Sequence, residues 1–250
     1  MLDAKLGNKY GVILTSFVDL SGNIFESEAE VIVVTVNCVG VMGAGIALDA
    51  KYRWPAIEIK YVNVCAAGRF SIGDIFWGQI NKQYVALFPT KNHWKLPSKI
   101  SYLESGLSTL RNDRVKKSVR SVALPQLGCS NGGLDWQDVR PKIVRSLDDV
   151  PDLKVEFWSF HSNFIDIDFS RFRILFLELE PKNAAKWLGC SKKSESLIRE
   201  TLRNDKITNF THIFNVDGIG SKTLERIYRA ALSNKHPSIQ TSIDYGQKDG

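Results

Sequence analysis

The sequence predicts an α/β fold, a sheet covered by helices on both faces, followed by a smaller helical region. Three observations carry this. Val31–Val36 is a nearly continuous apolar run rich in β-branched residues, the pattern of a strand buried on both faces. From Gly11 to Phe160 such runs alternate with stretches of helical spacing. After His161 that alternation gives way to helical spacing, as in Leu197, Ile198, Thr201 and Leu202.

The elements follow in order. Val12–Val18 and Val31–Val36 read as strands, and Ala44–Arg53 as a helix stopped before Pro55. Ile72–Gln79 and Tyr84–Phe88 are strands. Leu103–Leu110 is a helix with apolar residues at 103, 107 and 110. Ser118–Leu124 is another buried strand, Asp135–Leu147 a helix with Val139, Ile143 and Leu147 on one face, and Val155–Phe160 the closing strand. Arg173–Glu180 reads as one further strand, broken by Pro181. The boundaries expected are 1–165 for the first domain, 166–236 for a small, mainly helical region and 237–250 for a flexible polar tail.

Composition removes several classes of function. The 250 residues are 44% hydrophobic, 10% aromatic and 24% charged, ordinary values that exclude a disordered or collagen-like chain. The longest apolar runs have six residues where a membrane helix needs ~20, and no signal peptide is read at the N-terminus. The four cysteines form no CxxC pair, which argues against a zinc site or disulfide scaffold and places the chain in a reducing cytoplasm. No metal or cofactor is expected. The net charge of +6 equals the surplus of eleven basic over five acidic residues between Lys182 and Lys235. A polyanionic partner for that segment fits.

Two glycine loops carry the chemistry. Val31–Val36 runs through Asn37 into Gly40-Val41-Met42-Gly43-Ala44-Gly45-Ile46, a strand–turn–helix passage that aims backbone N–H groups and a positive helix end at one spot. Such glycines equally serve tight strand–helix packing, and the spacing is not that of a dinucleotide fingerprint. Val122–Leu127 runs into Gly128-Cys129-Ser130-Asn131-Gly132-Gly133-Leu134, again strand, small polar loop, helix. Two such loops at the carboxyl ends of two strands suit a diphosphate held in the crevice between them.

With these stretches in view, VTVNCVGVMGAGIALDAKYRWP, FPTKNHW and ALPQLGCSNGGLDW resemble macrodomains, and within them the branch of the DarG antitoxin and the terminal ADP-ribose glycohydrolase. The resemblance covers about Val12 to Phe160. It implies a three-layer α/β/α sandwich with a mixed sheet and an ADP-ribose pocket. Asn37 would hold the distal ribose. Val41, Gly43, Ala44, Gly45 and Ile46 would wrap one side of the diphosphate, and Gly128, Cys129, Ser130, Asn131, Gly132, Gly133 and Leu134 the other. Asn23 and Ile24 would meet adenine, with Asn23 where many macrodomains carry an aspartate. Lys91 matches the lysine this branch uses at the anomeric carbon, as a Schiff-base nucleophile or as a stabilising ammonium. His93 and Asp135 are auxiliary candidates: His93 as a proton shuttle or a hydrogen-bonded loop residue, Asp135 as a catalytic group or the cap of the following helix. Trp94 is expected to pack its loop.

Two departures stand out. Val34 replaces the first asparagine of the branch's N-T-V-N, and Gly132 stands where the terminal glycohydrolase has an aspartate. The implied activity is removal of ADP-ribose from modified DNA, opposing a cognate ADP-ribosyltransferase toxin. The alternative is a domain that binds or sequesters ADP-ribose, or a related signalling nucleotide, without cleaving it. Further on, Phe214–Ile227 resembles a helix–hairpin–helix. Its Gly218, Gly220 and Lys222 would contact a DNA phosphate, or the hairpin is a packing element.

Overall fold

The computed structural model describes residues 14–233, in two compact units that meet between His161 and Ser162. Val12 and Ile13 of the first expected strand, and the expected tail at 237–250, lie outside the described residues.

The first unit is built on a six-stranded sheet. Its strands are β1 (Ser16–Ser21), β2 (Val31–Asn37), β3 (Phe76–Ile80), β4 (Gln83–Lys91), β5 (Ser121–Pro125) and β6 (Lys154–Ser159), in the order β1-β6-β5-β2-β4-β3. All neighbours run parallel except β3, which pairs antiparallel with β4. Alternation along β2 builds two apolar layers. Val31 and Val33 join Leu103, Leu107 and Leu110 of α3 (Ile100–Lys117) and Val139, Ile143 and Leu147 of α4 (Trp136–Leu147). Ile32, Val34 and Val36 face the other way, onto Ala47 and Ala50 of α1 (Gly45–Arg53) and Ile57 and Tyr61 of α2 (Pro55–Ala66). The result is the three-layer sandwich with a mixed sheet that the sequence implied. Gly106 permits its closest approach: a Cβ there would stand 2.3 Å from the ring of Phe88, so any side chain would lift α3 off the sheet.

The second unit is helical: α5 (Ile167–Glu178), α6 (Pro181–Leu188), α7 (Lys192–Arg203), a 3-10 turn at Phe210–Ile213 and α8 (Ser221–Leu232). Its core is aromatic. Phe210 stacks on Tyr228 with ring centroids 4.0 Å apart and meets Phe169 edge-on at 5.2 Å.

Two sequence expectations need correction here. Arg173–Glu180 is not a strand, since residues 173–178 belong to α5. The helix starts at Ile167, where the carboxylate of Asp166 accepts from the Phe169 amide at 2.9 Å, and Phe169, Phe172 and Phe176 share its buried face. Reading from Arg173 removed the cap and first turn, leaving a short Ile/Leu/Phe run that has no period of its own. Helix α2 was also omitted from the sequence reading: α1 ends at Arg53, before Pro55 as read, and a separate helix begins at Pro55. Proline occupies the first turn of α2, where its missing N–H costs nothing.

Candidate active site

At the carboxyl ends of the parallel strands three loops converge. The β2–α1 loop (38–44) begins at Asn37, which is 6% exposed. Asn37 Nδ2 donates to the Val41 carbonyl at 2.6 Å, and its Oδ1 accepts from the Val39 and Val41 amides at 3.0 and 3.2 Å. The Asn37 carbonyl in turn accepts from the Tyr61 hydroxyl at 2.5 Å. Both ends of the Asn37 side chain are therefore engaged in shaping this loop. Met42 anchors the loop in the apolar layer, while Val41, Gly43, Ala44 and Gly45 stay exposed and Ile46 is half-buried at the helix start.

Next to it, β4 ends at Lys91, which pairs in register with Asn37 across a bulge. Cys38 N–H donates to the carbonyls of Lys91 and Asn92 at 3.1 and 3.3 Å, tying the two loops together. Lys91 Nζ donates to the Asn131 carbonyl and, at 3.4 Å, to the Trp94 carbonyl.

On the other side of β2, the β5–α4 loop holds itself by backbone bonds. Cys129 N–H donates to Gln126, Gly133 to Cys129 and Leu134 to Gly128. Gly128 and Gly133 adopt φ of 70° and 78°, where residues with a Cβ are strained. The Gly132 carbonyl accepts from the Ser98 amide at 3.0 Å, so the 92–99 loop braces this loop too. Ser130, Asn131 and Gly133 are exposed; Gly128 and Gly132 are buried. Asn131 is the meeting point. Its carbonyl takes the Lys91 ammonium, and its Nδ2 lies 3.2 Å from where a Cβ on Gly45 would be.

The remaining candidates fall as follows. Asn23 and Ile24, just past β1, are buried at 6% and 7%. Asn23 Oδ1 accepts from the Phe25 amide at 3.1 Å, capping the 3-10 turn Ile24–Glu26. His93 Nδ1 accepts from the Lys95 amide at 3.2 Å, a loop role. Asp135 caps α4, its Oδ1 accepting from the Gln137 amide at 2.8 Å. Burial pushes the Cys129 thiol up to about 11, with Asp135 adding to it, and burial likewise raises Cys38 to about 11. Both stay protonated and unreactive at neutral pH. Among the described residues no group of three or more His, Cys, Asp or Glu stands together as a metal site.

Three readings change. Trp94, expected to pack its loop, stacks on His93 there but leaves 48% of its surface exposed. Val34 is fully buried in the apolar layer under α1 and α2, which also takes in Met42 of the β2–α1 loop. Tyr61 was missed altogether because α2 was not read. The available signal was Ile57 and Tyr61, four residues apart behind a proline that opens a helix.

In the second unit, Gly220 caps α8 without a side-chain bond, no acidic residue lies in the first turn, and Lys222 is exposed. Gly218, two residues before that cap, adopts φ 85°. Among the described residues no helix is long and apolar enough to cross a membrane.

A family model described as Macro domain matches residues 33–143, which hold both glycine loops and Lys91. A curated relative from Mycobacterium tuberculosis, named DNA ADP-ribosyl glycohydrolase, is 42% identical over 137 residues, 53% of this chain and 39% of that protein. The solved macrodomain of Mycobacterium tuberculosis DarG is 39% identical with a TM-score of 0.56, covering 58% of this chain and 97% of that one. Thermosipho africanus DarTG, solved in complex with ADP-ribose, is 32% identical with a TM-score of 0.52, covering 55% of this chain and 40% of that one. The chain spans about two-fifths of the length of the curated relatives it matches.

Proposed function

Because the chain belongs to the macro domain family, we propose that its first unit is an ADP-ribosyl glycohydrolase that removes ADP-ribose from modified DNA. The observation that carries this reading is the convergence on Asn131. Two glycine loops and a lysine meet at one point, so a diphosphate held between the loops sets its attached sugar beside Lys91. The amides of Val41–Ile46 and Gly128–Leu134 cradle the two phosphates. Asn37, through the loop it shapes, bounds the distal ribose, and Asn23 and Ile24 face adenine.

Lys91 acts at the anomeric carbon of the distal ribose by one of two routes. In the first, neutral Nζ adds to that carbon, the bond to the base breaks, and the base takes the proton that Nζ gives up. The adduct opens to an imine, and water hydrolyses it to free ADP-ribose and the amine. In the second, the ammonium stays charged and stabilises the departing base while water attacks. His93 and Asp135 contribute through the loops they fasten. A transferase that installs the modification is the implied opposing partner. In the second unit, Gly218, Gly220 and Lys222 hold a backbone phosphate of the same DNA. Residues 1–165, 166–236 and 237–250 are the functional divisions that follow.

The test is release of ADP-ribose from an ADP-ribosylated single-stranded oligonucleotide. Wild type is expected to release it, and Lys91→Ala to lose turnover by about 100-fold or more while still binding ADP-ribose. Equal turnover by the two proteins would refute the role of Lys91. Borohydride added during turnover separates the routes, since only the imine leaves a reduced adduct on the wild-type chain. A wild type that binds ADP-ribose and releases nothing is a binding domain.

A further inference from the structure

The loop that carries Lys91 into the site continues as Asn92-His93-Trp94-Lys95-Leu96-Pro97-Ser98-Lys99, and its exposed side chains serve no part of the pocket described above. Trp94 is 48% exposed and Leu96 51%. The indole is nevertheless fixed. His93 stacks on it with centroids 5.6 Å apart at 26°, and Leu96 N–H closes a turn onto the His93 carbonyl at 2.9 Å. The Trp94 carbonyl also accepts from Lys91 Nζ at 3.4 Å. The ring therefore stands at a set position one turn away from the reacting nitrogen.

Charge along this stretch of chain has one sign. Lys95 Nζ lies 5.0 Å from the Trp94 ring centroid, and Lys99 Nζ 5.5 Å from that of Tyr102. Between Asp74 and Glu104 the chain has Lys82, Lys91, Lys95 and Lys99 and no acidic residue. An exposed indole with a lysine lying over it suits a single-stranded nucleic acid: a base stacks on the ring in place of the flexible Lys95 side chain, whose ammonium then meets the phosphate. A duplex keeps its base faces covered and cannot use it.

We propose that Trp94, with Lys95 and Lys99, is a subsite for the nucleotide adjoining the modified base, so that the enzyme prefers a single strand to an isolated modified nucleoside. The proposal rests on the reading that ADP-ribosylated DNA is the substrate. The leaving base sits at Lys91, and the loop leads its neighbour onto the indole.

The test compares an ADP-ribosylated single-stranded oligonucleotide with an ADP-ribosylated nucleoside. Trp94→Ala should lower kcat/KM on the oligonucleotide by about 5- to 150-fold, the range one base–aromatic stack supports, and leave the nucleoside unchanged. Trp94→Phe should restore most of the loss. Lys95→Gln should reduce the dependence of log affinity on log salt by about 0.7, one phosphate of a single strand. Equal losses on both substrates would place Trp94 in support of Lys91 and overturn the subsite, as would no loss on either. Should the wild type cleave neither substrate, the proposed activity fails by itself. The subsite is then judged by fluorescence anisotropy of an unmodified single strand on the full-length chain. Weaker binding by Trp94→Ala than by wild type supports it, and unchanged binding overturns it.

Discussion

The two glycine loops each contain a glycine present for a different reason, Gly43 in the first and Gly132 in the second. In the β2–α1 loop Gly43 is exposed, and a Cβ there would touch only Val41 Cγ1, at an ordinary 3.6 Å. The fold does not need that glycine, and the space it leaves faces outward, toward a ligand. In the β5–α4 loop a Cβ on Gly132 would fall 2.1 Å from the Gly128 carbonyl oxygen and 2.3 Å from Ser98 Oγ. The loop is closed on itself, and its glycine is required by its own backbone. Side chains hold the first loop, through Asn37 and Tyr61. Backbone bonds and the Ser98 amide hold the second. One of these glycines is demanded by the chain itself, and the other leaves open the space in which the proposed ligand would lie.

That contrast can be broken most severely at Gly132. Gly132→Ala meets backbone that cannot rotate away, so a loss of about 3 kcal/mol or more in unfolding free energy is expected by denaturant titration, with ADP-ribose binding lost alongside. A variant as stable as wild type would show that the loop has slack. The second effect is on binding and leaves folding alone. Gly43→Glu sets a carboxylate beside the diphosphate and should weaken ADP-ribose by about 100-fold or more in calorimetry, while Gly43→Ala keeps the melting temperature. Destabilisation by Gly43→Ala would erase the distinction between the loops. The smallest effect sharpens it. Asp135→Ala removes the cap that anchors the far end of the second loop and should cost about 1 kcal/mol, with turnover falling less than tenfold. A collapse of turnover at unchanged stability would instead make Asp135 a catalytic group.

Much of this was readable in the chain. Val31–Val36 announced a strand buried on both faces because both faces are covered, and the glycine loops followed because strand–turn–helix passages carry their own punctuation. What escaped reading depends on tertiary context. Residues 173–178 have strand-like composition, and only the cap at Asp166 and the aromatic face of Phe169, Phe172 and Phe176 make them helical. Asn37 was read as a ligand group, and its amide also shapes the loop, a use that only coordinates reveal. The direction of the Val34 side chain follows from its parity along β2, and that parity was legible. Its two neighbours on the same face, Ile32 and Val36, are apolar.

The contact between Lys91 and the Asn131 carbonyl has a bearing on fidelity. A lysine amine beside a sugar site is a target for any reducing sugar or stray aldehyde in its surroundings. Here the nitrogen is held by the carbonyls of Asn131 and Trp94, and Asn131 sits on the loop that a diphosphate must engage. Small carbonyl compounds lack a diphosphate and have no means of drawing that loop aside. In the proposed site, a ligand bearing two phosphates would free the amine by engaging the loop that holds it.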